Sequence, residues 1–303
     1  MPWSAFSLSH SRRRELTGLL FVLPVVLGTF FLNVVPAIAS LALSFTEWDL
    51  LTPPRFAGLA NFQELLTGDP FAFNAMRNTL IFVLGSVGLG MLFSLALALL
   101  VNQPLRGITL FRLAYYLPVV TSIVAVGLVW QWLLNSKLGL VNGMLATVGI
   151  DGPAWLIDPG WAIFAIIIAS VWQLLGTNMM IFLAGLQNVP TDLYDAAKID
   201  GASAWRRLRD VTLPMLSPTT FFILITSLIG SFQVFGLVYV LTIAEDAGGR
   251  SRVMDVWIYY LWQNAFSYFK MGYASAMAWL LFLVIGALTL IQWRLARRWV
   301  FYE

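Results

Sequence analysis

The chain has 303 residues, of which 59% are hydrophobic and 11% are charged, with a formal net charge of +3. Water-soluble domains carry about 25% charged residues, so this composition excludes a soluble globular protein. The absence of cysteine excludes disulfides and thiolate chemistry, and the single histidine excludes a multi-histidine metal site or histidine-based catalysis.

Long apolar runs dominate the chain from end to end. Each is close to the roughly 20 residues that a helix needs to cross the hydrocarbon layer of a membrane, and none contains Asp, Glu, Lys, Arg or His. The runs are residues 19–43, 79–101, 113–134, 161–184, 219–241 and 272–291. The sequence therefore predicts an all-α polytopic membrane protein with six transmembrane helices, an N-terminal tail at 1–18 and a C-terminal tail at 292–303.

The basic residues are distributed unevenly between the two sides that these spans define. Twelve of the 18 Lys and Arg residues lie on the side of the two termini and six on the other, whereas the acidic residues divide six to nine in the opposite sense. Cytoplasmic loops are enriched in Lys and Arg, so we expect both termini to be cytoplasmic. The positive net charge thus reflects topology and gives no support to a nucleic-acid partner.

One cytoplasmic loop, at residues 187–217 between the fourth and fifth spans, has a pattern of its own. Pro190 precedes a short helix that carries Asp195, and Gly201 is placed to end that helix in a left-handed cap. A second short helix with a basic cluster follows, and Pro214 breaks it before the fifth span. A helix–glycine–helix element of this kind suits insertion into a cleft on a soluble partner.

The spacing of the loop also resembles the "EAA" loop of ABC-importer permeases. That motif reads Glu-Ala-Ala, three residues, Gly, nine residues, Ile-x-Leu-Pro. Here Asp195-Ala196-Ala197 stands three residues before Gly201, and Val211-Thr212-Leu213-Pro214 follows after nine more. Asp for Glu and Val for Ile are the departures. An ordinary surface loop with helix caps is the alternative, and the match at fixed spacing favours the motif.

The resemblance covers nearly the whole chain and points to the carbohydrate branch of these permeases, which includes maltose and glycerol-phosphate importers. Asp200-Gly201-Ala202-Ser203 and Tyr116-Leu117-Pro118 carry that part of the likeness. It implies the type I ABC-importer permease fold in the bacterial plasma (inner) membrane. The implied contacts with the ATPase come from Asp195, Ala196, Ala197, Asp200, Gly201, Arg206, Leu213 and Pro214.

The same resemblance implies the function and the partners. The chain would be a non-catalytic subunit that binds no cofactor, with ATP and Mg bound by the partner ATPase. The implied partners are a second homologous permease, two cytoplasmic ABC ATPase subunits, an extracytoplasmic solute-binding protein that delivers a sugar-like solute, and membrane lipid. The sequence contains no Gly-x-x-x-x-Gly-Lys-Ser/Thr phosphate loop of its own.

Polar side chains in the fourth and fifth spans are the candidates for a substrate path near the bilayer midplane. The fourth span contributes Trp172, Gly176 and Met179 on one face, flanked by Gln173 and Asn178. The fifth span contributes Ser227, Gly230, Ser231 and Val234, with Gln233 close by. The resemblance places these positions where a maltose-type permease lines its sugar site. Helix–helix packing is the alternative role for the small residues and the amides, and the main site of a two-permease assembly can lie in the other subunit.

Two other classes of function compete with an ABC-importer permease. A stand-alone secondary transporter or channel would usually place an ionisable residue in a span, and the six runs contain none. A membrane enzyme would need a cluster of acid, base or metal-ligand residues, and the outer carboxylates show no such spacing. The permease is the interpretation that fits both the loop and the spans.

Overall fold

The computed structural model describes residues 10–104, 106–243 and 254–300, and these residues are mostly helical. The helices are α1 (His10–Thr29), α2 (Val35–Ser44), α3 (Ala60–Gln63), α4 (Pro70–Val101), α5 (Ile108–Val120), α6 (Ile123–Leu133), α7 (Leu140–Thr147), α8 (Ala162–Gln187), α9 (Thr191–Ile199), α10 (Ala204–Arg207), α11 (Leu213–Met215), α12 (Ser217–Phe232), α13 (Gly236–Ile243), α14 (Trp257–Trp262) and α15 (Met271–Ala296). Two short strands are β1 (Thr46–Glu47) and β2 (Arg55–Phe56). π-Helical turns lie at Phe30–Val34, Glu64–Gly68, Leu208–Thr212 and Gln263–Ser267.

The described residues fall into two compact units. The first contains the chain up to Leu65 together with Asn264–Trp279, and the second contains Leu66–Gln263 and the residues from Leu280 onward. The predicted tails extend beyond the described residues at 1–9 and 301–303.

Four helices among the described residues are long and apolar enough to cross a membrane: Thr17–Ser44, Pro70–Val101, Ala162–Gln187 and Met271–Ala296. Two further apolar segments are bent helix pairs, and they bring the number to six if each pair is one span. The sequence predicted the third run, 113–134, as one helix, so the bend between α5 and α6 differs from the prediction, whereas the bend before α12 lies outside the predicted run 219–241.

The two bends have local causes in the sequence. α5 and α6 meet at 100°, where Pro118 cannot donate a backbone hydrogen bond and Thr121 turns to an extended conformation. The helix Ala204–Met215 meets α12 at 64°, between Pro214 and Pro218. A third interruption separates α12 from α13 at residues 233–235, inside the run predicted as 219–241.

The first unit is organised around the end of the long helix Thr17–Ser44. β1 and β2 pair antiparallel, with Thr46 opposite Phe56. Asn61 Nδ2 donates to the backbone oxygens of Ser44 at 2.9 Å and Thr46 at 2.8 Å, which ties α3 to the end of α2. No part of the most apolar window of Thr17–Ser44 is buried within the chain, so this helix presents its surface to lipid or to another subunit.

The second unit is built on the packing of α4 against α8. α4 begins at Pro70, after Asp69 caps it by accepting from the amides of Phe71 and Ala72. A side chain at Gly85 would lie 2.7 Å from Ile167 Cδ1, so the glycine permits the two helices to approach closely. One buried hydrophobic cluster of this unit consists of Ala98, Val101, Met179, Phe182, Leu183, Leu186, Leu216 and Ile223.

Candidate functional site

The loop between α8 and α12 forms a compact helical element that begins with α9. α9 carries Asp195, Ala196 and Ala197 and ends at Ile199, and Gly201 follows two residues later with a left-handed φ of +74°. The amide of Gly201 donates to the Lys198 carbonyl at 3.0 Å, and the amide of Ala202 donates to the Ala197 carbonyl at 2.9 Å. The predicted left-handed cap is therefore confirmed. It reverses the chain in a single residue because glycine adopts this conformation without steric cost.

The returning part of the loop is fixed to α9 by hydroxyl groups. Ser203 begins α10 and accepts weakly from the amide of Arg206 at 3.4 Å. Tyr194 on α9 and Thr212 on the returning segment place their hydroxyl oxygens 3.0 Å apart, and Thr212 Oγ1 also donates to the Arg207 carbonyl at 3.2 Å. These bonds join the two halves of the loop, so the element moves as one piece.

The loop exposes large apolar side chains of the kind that mark an interaction surface. Ile199 is 87% exposed and Trp205 is 67% exposed, one on each side of Gly201. Of the eight loop residues predicted from the sequence, Asp195, Ala196, Asp200, Gly201, Arg206 and Leu213 are exposed, and Ala197 and Pro214 are half-buried. Sequence reasoning missed Ile199 and Trp205, although large apolar residues in an otherwise polar loop were the available signal.

A cavity of about 260 Å³ lies within the second unit. Its walls come from α4, α6, α8, α12, α13 and the break between the last two. The lining residues are Phe82, Ser86, Gly90, Ile123, Ser170, Val171, Gln173, Leu174, Asn178, Ser227, Gly230, Ser231, Val234, Phe235, Gly236 and Leu237. None of these side chains is ionisable. The cavity is a little smaller than the roughly 300–1,000 Å³ of most small-molecule sites.

The polar groups of the cavity retain hydrogen-bonding capacity. Asn178 Nδ2 donates to Ser227 Oγ at 3.4 Å, and Ser86 Oγ donates to Ser231 Oγ at 3.3 Å. Both distances exceed those of strong hydrogen bonds, about 2.9 Å for nitrogen and about 2.7 Å for hydroxyl donors. Ser170 is 5% exposed, and its Oγ has no partner among the described residues. The lining is therefore polar, neutral and weakly satisfied.

Six of the ten predicted path residues line this cavity: Gln173, Asn178, Ser227, Gly230, Ser231 and Val234. The other four lie elsewhere. Met179 is fully buried in the core. Gly176 abuts the Tyr115 backbone. Trp172 packs edge-to-face on Trp130 at 5.9 Å between ring centroids. Gln233 is exposed in the break after α12. Thus Gly176 and Met179 pack against protein on this face of α8, whereas Trp172 stays 43% exposed beside Trp130. The flanking face lines the cavity.

Sequence reasoning missed the contribution of α4 to the cavity. Phe82, Ser86 and Gly90 recur every four residues along one face of this helix, and all three line the cavity. Gly85 on the same helix serves close packing instead, because a side chain there would meet Ile167 of α8. Serine hydroxyls in a transmembrane run were the available signal, but helix packing explains them equally well from the sequence alone.

Phe235 joins the cavity to an aromatic cluster that also includes Tyr239, Tyr259 and Trp262. Its ring centroid lies 5.3 Å from that of Tyr239 and 5.9 Å from that of Trp262, and the rings of Tyr259 and Trp262 stack at 6.1 Å. These contacts hold Phe235 in place at the break between α12 and α13. The cavity therefore has a rigid aromatic wall beside its hydroxyl and amide groups.

A metal centre finds no support in the described parts of the chain. No three His, Cys, Asp or Glu side chains within them lie close enough together to hold an ion.

Comparison with known proteins gives a consistent result. Residues 86–301 match the family described as "Binding-protein-dependent transport system inner membrane component". The chain is similar to the probable ABC transporter permease protein YesP of Bacillus subtilis, with 39% identity over 99% of this chain and 96% of that protein. It is also similar to the lactose transport system permease protein LacF of Rhizobium radiobacter, with 35% identity over 95% of this chain and 97% of that protein.

Among solved structures, the chain resembles one from a bacterial alginate ABC transporter in complex with an alginate pentasaccharide-bound periplasmic protein. The TM-score is 0.83 at 23% identity, and the match covers 96% of this chain and 97% of that one. At this identity the likeness shows a shared fold.

Proposed function

The chain belongs to the family of binding-protein-dependent transport system inner membrane components, and on that premise we propose that it conducts a neutral carbohydrate through the cavity lined by α4, α8 and α12. It is a membrane permease subunit of an ABC importer in the bacterial plasma membrane, with the fold of type I ABC-importer permeases. The family is the non-catalytic membrane component of its transporters.

The composition of the cavity carries the choice of substrate class. Its amide and hydroxyl groups are weakly bonded or unbonded within the protein, so they are free to bond a solute. Phe82 and Phe235 supply aromatic surface beside them. A sugar presents hydroxyls around its edge and C–H groups on its faces, so it matches both kinds of wall. The similarity to a lactose permease supports this choice.

The absence of charge from the lining favours a neutral solute over a phosphate ester or a uronic acid. No Lys, Arg or His lies among the lining residues, so a bound anion would lose its hydration without gaining an opposite charge. That loss is costly in a water-poor site. We therefore place a neutral mono- or disaccharide ahead of glycerol phosphate.

The helical element between α8 and α12 is the proposed ATPase contact. Its exposed apolar residues Ile199 and Trp205 need a partner surface, and its two halves are held together by the Tyr194–Thr212 bond. α8 leads into this element and α12 leads out of it, and both helices line the cavity. A displacement of the element by the ATPase therefore reaches both walls of the cavity through short covalent connections.

These features define the working assembly that we propose. Two ATPase subunits bind Mg-ATP on the cytoplasmic side. One contacts this element, and the other contacts the same element of a second, homologous permease. The extracytoplasmic binding protein delivers the sugar, and closure of the ATPase dimer drives the change between outward- and inward-facing states. The unburied helix Thr17–Ser44 offers a surface for the second permease and for lipid.

Reconstitution in proteoliposomes tests the proposal, with the second permease, the ATPase and the binding protein added or withheld and radiolabelled lactose as the probe. We expect uptake only when all components and ATP are present. Uptake by this chain without ATP would support a stand-alone transporter and overturn the proposal. ATP-dependent uptake of sn-glycerol 3-phosphate in place of lactose would overturn the neutral substrate class.

A further inference from the structure

Ser170 is a buried hydroxyl that the helix around it leaves unused. It lies in the first half of α8, it is 5% exposed, and its Oγ has no hydrogen-bond partner among the described residues. Serine and threonine in a helix commonly donate to the carbonyl three or four residues before them. Thr79 of α4 does so, with its Oγ1 2.8 Å from the Ala75 carbonyl. Ser170 makes no such bond.

Ser170 lies on the face of α8 that lines the cavity. Ser170, Leu174 and Asn178 recur every four residues along α8, and all three line the cavity. The Ser86–Ser231 hydroxyl pair lines the same cavity, with a long bond of 3.3 Å between its oxygens. Six polar side chains from three helices thus line one small space, and Ser170 Oγ is the one buried polar atom among them without a hydrogen-bond partner in the described residues.

We propose that Ser170 is a specificity-determining residue, whose Oγ hydrogen-bonds a hydroxyl of the passing sugar, with Ser86 completing the contact from α4. This proposal rests on the proposed function, since it assumes that the solute passes through this cavity. An unpaired buried hydroxyl destabilises the empty protein. The sugar removes that penalty when it arrives, so a solute with a hydroxyl at this point is favoured over one without it.

Ser94 provides a matched control. It is a fully buried serine on α4 that packs toward α8, but its Oγ donates to the Leu175 carbonyl at 3.2 Å and it does not line the cavity. The natural chain contains no cysteine, so a single thiol introduced at either position is the only one in this subunit.

The first measurement is thiol reactivity in the assembled transporter during ATP turnover, with a small methanethiosulfonate reagent and mass analysis of this subunit. We expect the thiol from Ser170→Cys to react at least about 10-fold faster than the thiol from Ser94→Cys, and lactose to slow only the former. Equal, slow reaction of both variants would overturn the inference and leave the proposed function standing. Fast reaction that lactose does not slow, in vesicles that do accumulate lactose, would also overturn it.

The second measurement separates a contact with the sugar from a structural role. Ser170→Ala removes an unsatisfied group, so we expect an unchanged or higher thermal midpoint together with a KM for lactose raised about 3- to 10-fold, the range for one lost hydrogen bond. Ser94→Ala removes a satisfied group and is expected to lower the midpoint without changing KM. A KM unchanged by Ser170→Ala would overturn the inference. If wild-type vesicles take up no lactose, lactose is excluded as the solute, and the thiol reactivity and thermal midpoints still decide whether Ser170 faces the path unpaired.

Discussion

The substitution Gly201→Val is expected to uncouple ATP hydrolysis from transport. Gly201 has a φ of +74° at the end of α9, and a Cβ there would meet no other atom within 4 Å. The energetic cost of the valine therefore comes from the backbone conformation alone. A left-handed conformation costs an ordinary L-residue about 1–2 kcal/mol, and a β-branched side chain lies at the upper end of that range or beyond it.

That strain acts on the element proposed to contact the ATPase. A cost of one or two kcal/mol changes a conformational ratio by about 5- to 30-fold, so the ratio of capped to released loop falls by that factor. We expect lactose uptake per ATP hydrolysed to fall accordingly. The assay is simultaneous measurement of uptake and phosphate release in proteoliposomes.

Gly149 supplies the matched control for this variant. It follows α7, has a φ of +78°, and a Cβ at this position would likewise meet no other atom within 4 Å. Gly149→Val thus introduces the same strain in a loop outside the proposed ATPase contact, and the uptake-to-hydrolysis ratio should be unchanged. An equal fall in both variants, or an unchanged ratio in Gly201→Val, would refute the assignment of this loop.

Three further predictions concern the contact surface, the cavity and a loop of the first unit. Ile199→Ser should weaken binding of the ATPase at least about 10-fold in a pull-down from detergent, because burial of an isoleucine stabilises a contact by about 1.5–3 kcal/mol. Leu51 is equally exposed, and Leu51→Ser should leave binding unchanged. Asn178→Asp should raise the KM for lactose at least about 10-fold at neutral pH, because it adds an unpaired carboxylate to a neutral cavity; an unchanged KM would place the solute elsewhere. Hydrogen bonds from the backbone and side chain of Thr52 lower the pKa of Asp49. The turn that these bonds close should therefore persist as pH falls past the usual aspartate pKa of about 3.9 and open only below it. Hydrogen exchange at the Thr52 amide, corrected for intrinsic rates, measures this opening.

The broad character of the protein could be predicted from the sequence. Uncharged runs of about 20 residues leave no stable alternative to membrane helices, and the spacing of the loop around Gly201 identified the permease family, which the comparisons confirm. The left-handed cap was also predictable, because a glycine just after a short helix is enough to predict it. The cytoplasmic orientation of the termini, the ATPase contact and the substrate path stay predictions.

The 100° bend in the third run and the interruption at residues 233–235 in the fifth run were not predicted as breaks, whereas the 64° bend lies before the fifth run, where Pro214 was predicted to break the preceding helix. Pro118 and Pro218 mark where a helix can break, but apolar composition alone does not say whether neighbouring helices tolerate a kink or a turn of 100°. The interruption at residues 233–235 carries no proline at all, and it brings Val234 and Phe235 to the cavity wall.

The sequence by itself determined that the chain is helical, embedded in a membrane and equipped with a loop of the permease type, because hydropathy, charge distribution and motif spacing are properties of the linear chain. Only the tertiary structure decided which face of each helix meets the cavity. It placed Met179 in the core and Asn178 at the cavity, and it brought Ser86, Ser170 and Ser231 together from three helices. In a span that is apolar on every side the hydrophobic pattern does not mark an inner face, so the packing of helix against helix makes that choice.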